Sequence, residues 1–266
     1  MEKPKFNLSL ITGASSGIGE ALCYLLANQG INLIICGRDA SKLEKIALEL
    51  KDKVSVEMIV ANLACQSGLK KIIEVIQVKI PDLVINNAGF GLYGDALNYR
   101  IEDQLEILKV NGNAVAEITL ESAKILLHKK SEGTILNVSS VASFQVFPGF
   151  SMYSASKAFV NQFSESLDYE TKPHGIRVLT SCPGMVKTGF RSRASGNDKK
   201  SDKSDEIGVM DASFAAKEIW NQILNGKALH IFNWRYRLAI FFTRYLLPKS
   251  IVAKKLYSNI RKRTGK

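Results

Sequence analysis

Short apolar runs alternate along the chain with longer stretches in which apolar positions recur every three or four residues. A strand covered on both faces reads as a continuous apolar run, and an amphipathic helix shows a period of about 3.6. By this pattern Leu8–Thr12 is a first strand, followed by a glycine-rich turn and a helix over about Gly17–Asn28. Asn32–Cys36, Val54–Val60 and Leu83–Asn86 are the next strands, separated by helices over Ser41–Leu50 and Gln66–Val78. Ser41 stands at the head of its helix with Glu44 three residues on, the spacing of a capping box. A long helix is predicted over Glu102–His128, a fifth strand over Thr134–Val138, a helix over Ser151–Thr171 and a sixth strand over Arg177–Ser181. Gly189–Gly208 is polar, charged and serine-rich, and reads as a mobile loop. Asp211 opens a helix to about Leu224, and Ala228–Phe232 is a candidate seventh strand. Strands alternating with helices in this way predict an α/β fold with a doubly wound parallel sheet of about seven strands and helices on both faces. Its ligand belongs at the carboxyl ends of the strands, where strand order reverses.

Composition narrows the class. With 266 residues, 46% apolar and 23% charged, the chain suits one large globular unit. We expect a single domain over residues 1–232, including a mobile loop over 189–210, and a basic, apolar extension over 233–266. The net charge of +11 is unevenly placed. No Asp or Glu follows Glu218, whereas 11 Lys or Arg do, so the whole excess lies in the last 48 residues. Such a segment seeks an anionic surface or a polyanion; no nucleic-acid partner is expected. Cys23, Cys36, Cys65 and Cys182 form no C-x-x-C pair, and Met1–Asn7 is polar and leads straight into a strand. Free thiols and a cytoplasmic setting are therefore expected. His128, His174 and His230 lie far apart without metal-ligand spacing, so they read as surface or helix-end residues and no metal site is expected.

Four segments carry candidate chemistry. Thr12-Gly13-Ala14-Ser15-Ser16-Gly17-Ile18-Gly19 follows the first strand and opens a helix. Small residues there let the backbone approach a pyrophosphate at the helix N-terminus; glycines also simply make turns. Asn86-Asn87-Ala88-Gly89 ends the fourth strand, where amides brace neighbouring strands or form a plain turn. Asn137-Val138-Ser139-Ser140 ends the fifth strand, and a hydroxyl there could hold a substrate oxygen. In Tyr153-Ser154-Ala155-Ser156-Lys157, the Tyr and Lys share a helix face. A nearby ammonium lowers a phenol's pKa, fitting it to exchange a proton with a carbonyl or alcohol oxygen. A lone Y-x-x-x-K more often means an amphipathic tyrosine and a solvated lysine.

Taken together and in this order, with Pro183-Gly184 and Thr188 beyond them, these segments resemble the short-chain dehydrogenase/reductase family in its shorter single-domain branch. The resemblance covers Leu8 to about Thr188 and implies a Rossmann-like fold and an oxidoreductase that interconverts a carbonyl and an alcohol. It implies Tyr153 as catalytic acid/base and Lys157 as the residue that depresses the phenol pKa and holds the nicotinamide ribose. Ser140, rather than Ser139, would orient the substrate, and Asn111 would support a proton-relay water. Cofactor contacts are implied at Gly13, Ser15, Ser16, Gly17, Ile18 and Gly19, at Asn62 and Leu63, at Asn87, Ala88 and Gly89, and at Pro183, Gly184, Val186 and Thr188. Asn62-Leu63 departs from the family's usual Asp-Leu, but the Asn62 side-chain oxygen can still accept a hydrogen bond from an adenine amino group. Relatives are commonly dimers or tetramers, which implies a homo-oligomer built on the two long helices.

At the end of the second strand Gly37 stands where an NAD-binding acid would be expected, and Arg38 follows. A guanidinium grips a 2′-phosphate, which favours NADP(H) over NAD(H); the rival is Asp39 on the ribose diol with Arg38 solvated. Phe144, Val146, Phe147, Phe150, Met185 and Phe190 are candidates for an apolar substrate pocket, or for core or interface packing. Two other functions stay open: a nucleotide-binding scaffold or sensor with this fold, and a dehydratase or epimerase of nucleotide sugars, for which little chain remains after Thr188. The stretch Trp234–Leu247 is too short and too charged to span a bilayer. Either it lies peripherally on an anionic membrane, or Leu238, Ile240, Phe241 and Phe242 pack over the cleft or across a dimer.

Overall fold

The structure, a computed structural model, describes residues 6–190, 194 and 209–264. The chain begins with β1 (Leu8–Thr12), α1 (Gly17–Asn28), β2 (Asn32–Gly37), α2 (Ala40–Leu50), β3 (Val56–Val60), α3 (Gln66–Lys79) and β4 (Leu83–Asn86). Then come α4 (Ile101–Leu108), a π-helical turn at Lys109–Ala114, α5 (Val115–His128), β5 (Gly133–Val138), α6 (Ser151–Thr171) and β6 (Ile176–Cys182). Two short strands, β7 (Val186–Lys187) and β8 (Met210–Asp211), pair with each other, and α7 (Ala212–Asn225) and β9 (Leu229–Ile231) follow. The C-terminal hairpin is α8 (Trp234–Phe241), a π turn at Phe242–Leu246 and α9 (Lys249–Thr264). Most of the loop expected over 189–210 lies outside the described residues.

Seven strands form one parallel sheet in the order β3-β2-β1-β4-β5-β6-β9. Alternate residues along these buried strands point to opposite faces of the sheet. Leu10, Ile34, Val84, Ile135 and Val178 face α3, α5 and α6, where Ile72, Ile76, Ile118, Leu126 and Leu167 meet them. Their neighbours Ile11, Ile35, Ile85, Leu136 and Leu179 face the other way, against Leu22, Leu26, Ile46, Ile219 and Ile223 of α1, α2 and α7. Both faces are therefore dry, as a doubly wound sheet requires. The chain runs outward from β1 to β3, then returns to place β4 on the other side of β1. The crevice between the carboxyl ends of β1 and β4 is the reversal point.

Two polar devices lock this frame. Asn86 Nδ2 donates to Thr119 Oγ1 (3.1 Å) and Asn137 Oδ1 (2.9 Å), and Asn137 Nδ2 donates to Ser164 Oγ (2.8 Å). That buried network ties β4, β5, α5 and α6 together. Arg177 on β6 donates twice to the Asp168 carboxylate of α6, both at 2.9 Å, and Asp168 also accepts from Val178 N at 2.8 Å.

Several boundaries differ from the sequence expectation for local reasons. The N-cap of α2 is Asp39, not Ser41: the Asp39 carboxylate accepts from Lys42 N (3.2 Å), and Ser41 donates to it (2.8 Å). A carboxylate two residues earlier outcompetes the hydroxyl for the first free N–H groups. The helix expected over Glu102–His128 begins at Ile101 and widens at Lys109–Ala114, which periodicity cannot reveal. β3 starts at Val56 rather than Val54, β6 gains a residue at each end, and β9 is shorter than Ala228–Phe232. His128 and His174 are exposed, but His230 is half-buried and pairs with Glu218 at 3.0 Å.

Candidate active site

A cleft of about 880 Å³ opens at the reversal point. One end is built by the turn after β1. Gly13 (φ +66°) and Gly17 (φ +62°) occupy left-handed backbone, where a side chain would be strained. They also have no room: a Cβ on Gly13 would lie 2.8 Å from Ala88 Cα, and one on Gly17 would lie 2.8 Å from Thr188 Cγ2. Asn87 fixes the turn from the next strand, its amide donating to Thr12 O (3.0 Å) and Gly13 O (3.2 Å). No side chain caps the first turn of α1, so its N–H groups point toward an anion-sized space.

Ser15, Ser16 and Ile18 line this end together with Gly13 and Gly17. Arg38 stands exposed at the rim, and Asn62, Leu63, Ala88 and Gly89 form the floor. Asn62 Oδ1 already accepts from Ala64 N at 3.0 Å, leaving one lone pair for a ligand. Asp39 is committed elsewhere. Its carboxylate holds Ser41, Lys42 N and, at 3.3 Å, Lys42 Nζ, and these bonds, Ser41 foremost, keep its pKa below the usual carboxylate value.

Ser140, Tyr153 and Lys157 meet at the other end. The two serines that end β5 separate cleanly. Ser139 donates to the Lys157 carbonyl oxygen (2.9 Å) and is part of the frame. Ser140 caps the next turn, accepting from Ala142 N (3.1 Å), and its hydroxyl bonds to the Tyr153 phenol. Lys157 Nζ donates to Val138 O at 2.7 Å and lies 5.8 Å from the centre of the Tyr153 ring. Burial governs both titrations. It pushes the phenol above its ordinary value, with the Ser140 bond acting in the opposite direction, and it lowers the Lys157 ammonium to about 8. The depression of the phenol expected from Lys157 is not found: desolvation dominates, and it is the Ser140 bond that opposes it.

Pro183, Gly184, Val186 and Thr188 close the side wall. Two of the sequence candidates stand behind the cleft rather than in it. Gly19 is buried in α1, where a Cβ would lie 2.2 Å from Gly13 O. Asn111 is fully buried in the π turn: its amide donates to Phe90 O (2.9 Å) and Ser156 Oγ (3.2 Å), and its oxygen accepts from Phe90 N (3.1 Å). It fixes the strand-end segment that carries Gly89.

Aromatic rings make the substrate end apolar. Phe150 stacks on Tyr153 with centroids 4.2 Å apart, and Tyr93 on Phe150 at 4.3 Å; Phe147 and Phe190 complete the group. Gly91 makes the stack possible, since its Cβ would lie 2.6 Å from the Phe150 ring. Met185 lines the cleft as expected, whereas Val146 is exposed and Phe144 sits outside the lining.

The C-terminal segment does pack over the cleft, one of the two readings left open by the sequence, but not through Leu238, Ile240, Phe241 or Phe242. Tyr236 packs flat on Gly184, whose Cβ would lie 2.2 Å from the ring, and Leu256, Asn259 and Ile260 of α9 also line the cleft. Ile260 seats against Gly149, and Tyr257 donates to Asp95 Oδ1 at 2.7 Å. Gln145 also bonds to Thr243. The i, i+4, i+8 spacing of Val252, Leu256 and Ile260 was the available signal. Lys42, at the Arg38 end, was missed because nothing in the local pattern turns its helix toward the cleft.

The sequence profile described as short chain dehydrogenase matches residues 7–199. An uncharacterized oxidoreductase of Staphylococcus aureus (strain MW2) is 29% identical over 195 residues, 73% of this chain and 84% of that protein. Among solved structures, a short-chain dehydrogenase from Sphingobium yanoikuyae in complex with NADPH is 28% identical, with a TM-score of 0.77 over 85% of this chain and 87% of that one. The bulky-bulky ketone specific alcohol dehydrogenase from Comamonas testosteroni is 25% identical, with a TM-score of 0.76 over 97% and 92% of the two chains. A parallel sheet with its cleft at the reversal point, the glycine turn at one end and Ser140, Tyr153 and Lys157 at the other, agrees with these likenesses: the chain belongs to the short-chain dehydrogenase/reductase family of oxidoreductases.

Proposed function

We propose that the protein interconverts an apolar ketone and its alcohol with NADP(H), using Tyr153 as general acid/base. The observation that carries this reading is the shared cleft. An anion-sized turn and a cationic rim stand at one end, and a phenol, a hydroxyl and an ammonium converge at the other. A dinucleotide fits those residues: the bare first turn of α1 and the glycines with no room for a Cβ suit a pyrophosphate. Gly13 to Ile18, Asn62, Leu63, Asn87 to Gly89, Lys157 and the Pro183–Thr188 wall would hold it, with Gly19 keeping the turn tight. The nicotinamide supplies or accepts the hydride when it is bound.

The protein's own residues handle the proton. Burial keeps the Tyr153 phenol protonated at neutral pH, ready to donate to a carbonyl oxygen, and Ser140 favours the phenolate that results. Lys157, bound to Val138 O and 5.8 Å from the centre of the phenol ring, supplies the nearby cation. Asn111 positions Phe90 and Gly89 below the site. The stack of Phe150, Tyr93 and Phe147 excludes water and prefers an apolar substrate.

NADP(H) is favoured over NAD(H) because Asp39, the acid at the end of β2, is spent on capping and on Lys42, while Arg38 presents positive charge. The solved relative with NADPH supports the same choice. In this reading residues 1–232 form the catalytic unit, and 233–266 is an extension that walls the cleft. Exposed Ile101, Leu105, Leu120 and Phe159 on α4, α5 and α6 suit a homodimer or homotetramer, and the setting is cytoplasmic. Initial rates over a panel of bulky ketones with NADPH, and of the matching alcohols with NADP⁺, test the assignment. Turnover of at least one pair is expected. Cofactor binding without turnover of any would favour a nucleotide-binding scaffold instead.

A further inference from the structure

The C-terminal hairpin has two apolar faces, and only one packs on the protein. Tyr236, Ile240 and Thr243 are half-buried against the domain. At 3.6 residues per turn, Trp234, Leu238, Phe241, Phe242 and Tyr245 fall together on the opposite side. These five are 46–67% exposed. Phe241 contacts both Phe242 and Tyr245, with ring centroids 5.9 and 5.6 Å apart, so the stripe is a continuous surface. Leu246, Leu247 and Ile251 extend it, all exposed. Single exposed apolar side chains are ordinary, but eight within 18 residues of chain mark an interaction site.

Charge identifies the partner. Arg237 flanks the stripe on one side and Arg235 on the other, each roughly 80° from its centre by helical geometry, and Arg244 follows, exposed, in the π turn. Arg235 and Arg244 lie over the rings of Trp234 and Tyr245, both at 5.8 Å. Lys249, Lys254, Lys255 and Lys262 are also exposed, and no acid occurs after Glu218. A second copy of the same face would bring these cations against each other without a counter-charge. An apolar strip bordered by cations matches a surface that is apolar inside and anionic outside, which is a lipid bilayer with acidic headgroups. Among the described residues no helix is long and apolar enough to cross a membrane, so the contact would be made in the interface.

We propose that this face of the hairpin docks the protein on anionic bilayers, with Trp234, Leu238, Phe241 and Phe242 entering the headgroup layer and the arginines holding acidic headgroups. The opposite face of the same hairpin lines the cleft through Tyr236, Leu256 and Ile260. Docking therefore places the hairpin between lipid and cleft, and it does not depend on the catalytic assignment.

Sedimentation with vesicles of phosphatidylglycerol and phosphatidylcholine, and of phosphatidylcholine alone, tests the proposal on the full chain. Wild type should bind the acidic vesicles at low salt at least about tenfold more tightly than neutral ones, and weaken as salt rises. Phe241→Glu/Phe242→Glu, at exposed positions, should lose about tenfold or more while keeping the wild-type melting temperature. Leu97→Glu, exposed on another surface, should bind like wild type. Any of three results would overturn the proposal: no binding to acidic vesicles at low salt, equal binding to neutral ones, or full binding by the double variant. Concentration-dependent self-association that the double variant abolishes, without vesicle binding, would assign the face to a second copy of the chain.

Discussion

At the residue scale, chemistry depends on what each of two adjacent candidates in the cleft is bonded to. Ser139 and Ser140 are chemically the same, and only the fold separates them: one bonds backbone behind Lys157, the other bonds the Tyr153 phenol. Arg38 and Asp39 are separated in the same way. Asp39 becomes the cap of α2, while Arg38 beside it stays exposed at the rim of the cleft. Arg38→Ala should weaken NADPH by about 1.5 kcal/mol, roughly tenfold, the low end for a charge-assisted bond because the side chain is exposed. NADH should be unaffected. Titrating both cofactors against both proteins checks this, and an unchanged NADPH/NADH ratio would remove Arg38 from the phosphate site. The motif residues were legible because backbone approach and proton transfer demand particular residue types. Lys42 and Tyr93 were not, since any residue of suitable size and charge could fill their places.

At the element scale, strands and helices were read well wherever burial is one-sided or complete. Ser151–Thr171 was recovered with its boundaries, and the short, largely apolar runs of β1 and β4 read as buried strands. The π turn at Lys109–Ala114 was hidden because an inserted residue shifts the helical period only locally. It nonetheless fixes the site, since it buries Asn111 where Phe90 can be held by both its N–H and its carbonyl. Between α6 and β6, the Asp168–Arg177 pair is the element-level lock. Asp168→Ala would strand the half-buried guanidinium and the buried Val178 N–H, and should cost about 1–3 kcal/mol. Urea unfolding measures it; a loss below about 1 kcal/mol would mean the two elements are joined by packing alone.

At the scale of the whole molecule, a doubly wound sheet with its cleft at the reversal point followed from strand–helix alternation, whereas the strand order was not legible in the sequence. The role of the tail did not follow. Its composition pointed outward to a membrane or inward to the cleft, and the hairpin does pack inward through Tyr236 and Ile260 while leaving Phe241 and Phe242 in solvent. Burial of three thiols sets the alkaline limit. Cys23, Cys36 and Cys182 are each raised from 9.0 to about 12 by desolvation. A raised pKa stabilises the fold fully below pH 9, and that contribution is lost as pH climbs toward 12. Lys157, lowered from 10.5 to about 8, acts oppositely between those values, because the unfolded chain then holds the extra proton. Three groups outweigh one, so stability should fall above about pH 9, by up to about 1.4 kcal/mol per pH unit for each thiol. Cys23→Ala should make that fall shallower in urea titrations at about pH 8 and about pH 10.5, and an unchanged slope would contradict the buried-thiol account.

The proton carried by Tyr153 ties these scales together, and Tyr153→Phe isolates it, because the ring, its stack on Phe150 and the packing around it are kept. The direct test is to measure NADPH binding and ketone reduction side by side for wild type and this variant. The account predicts a loss of turnover of about 100-fold or more, with NADPH affinity within about twofold of wild type. A variant that kept more than about a tenth of the wild-type rate would show that the phenol is not the proton donor.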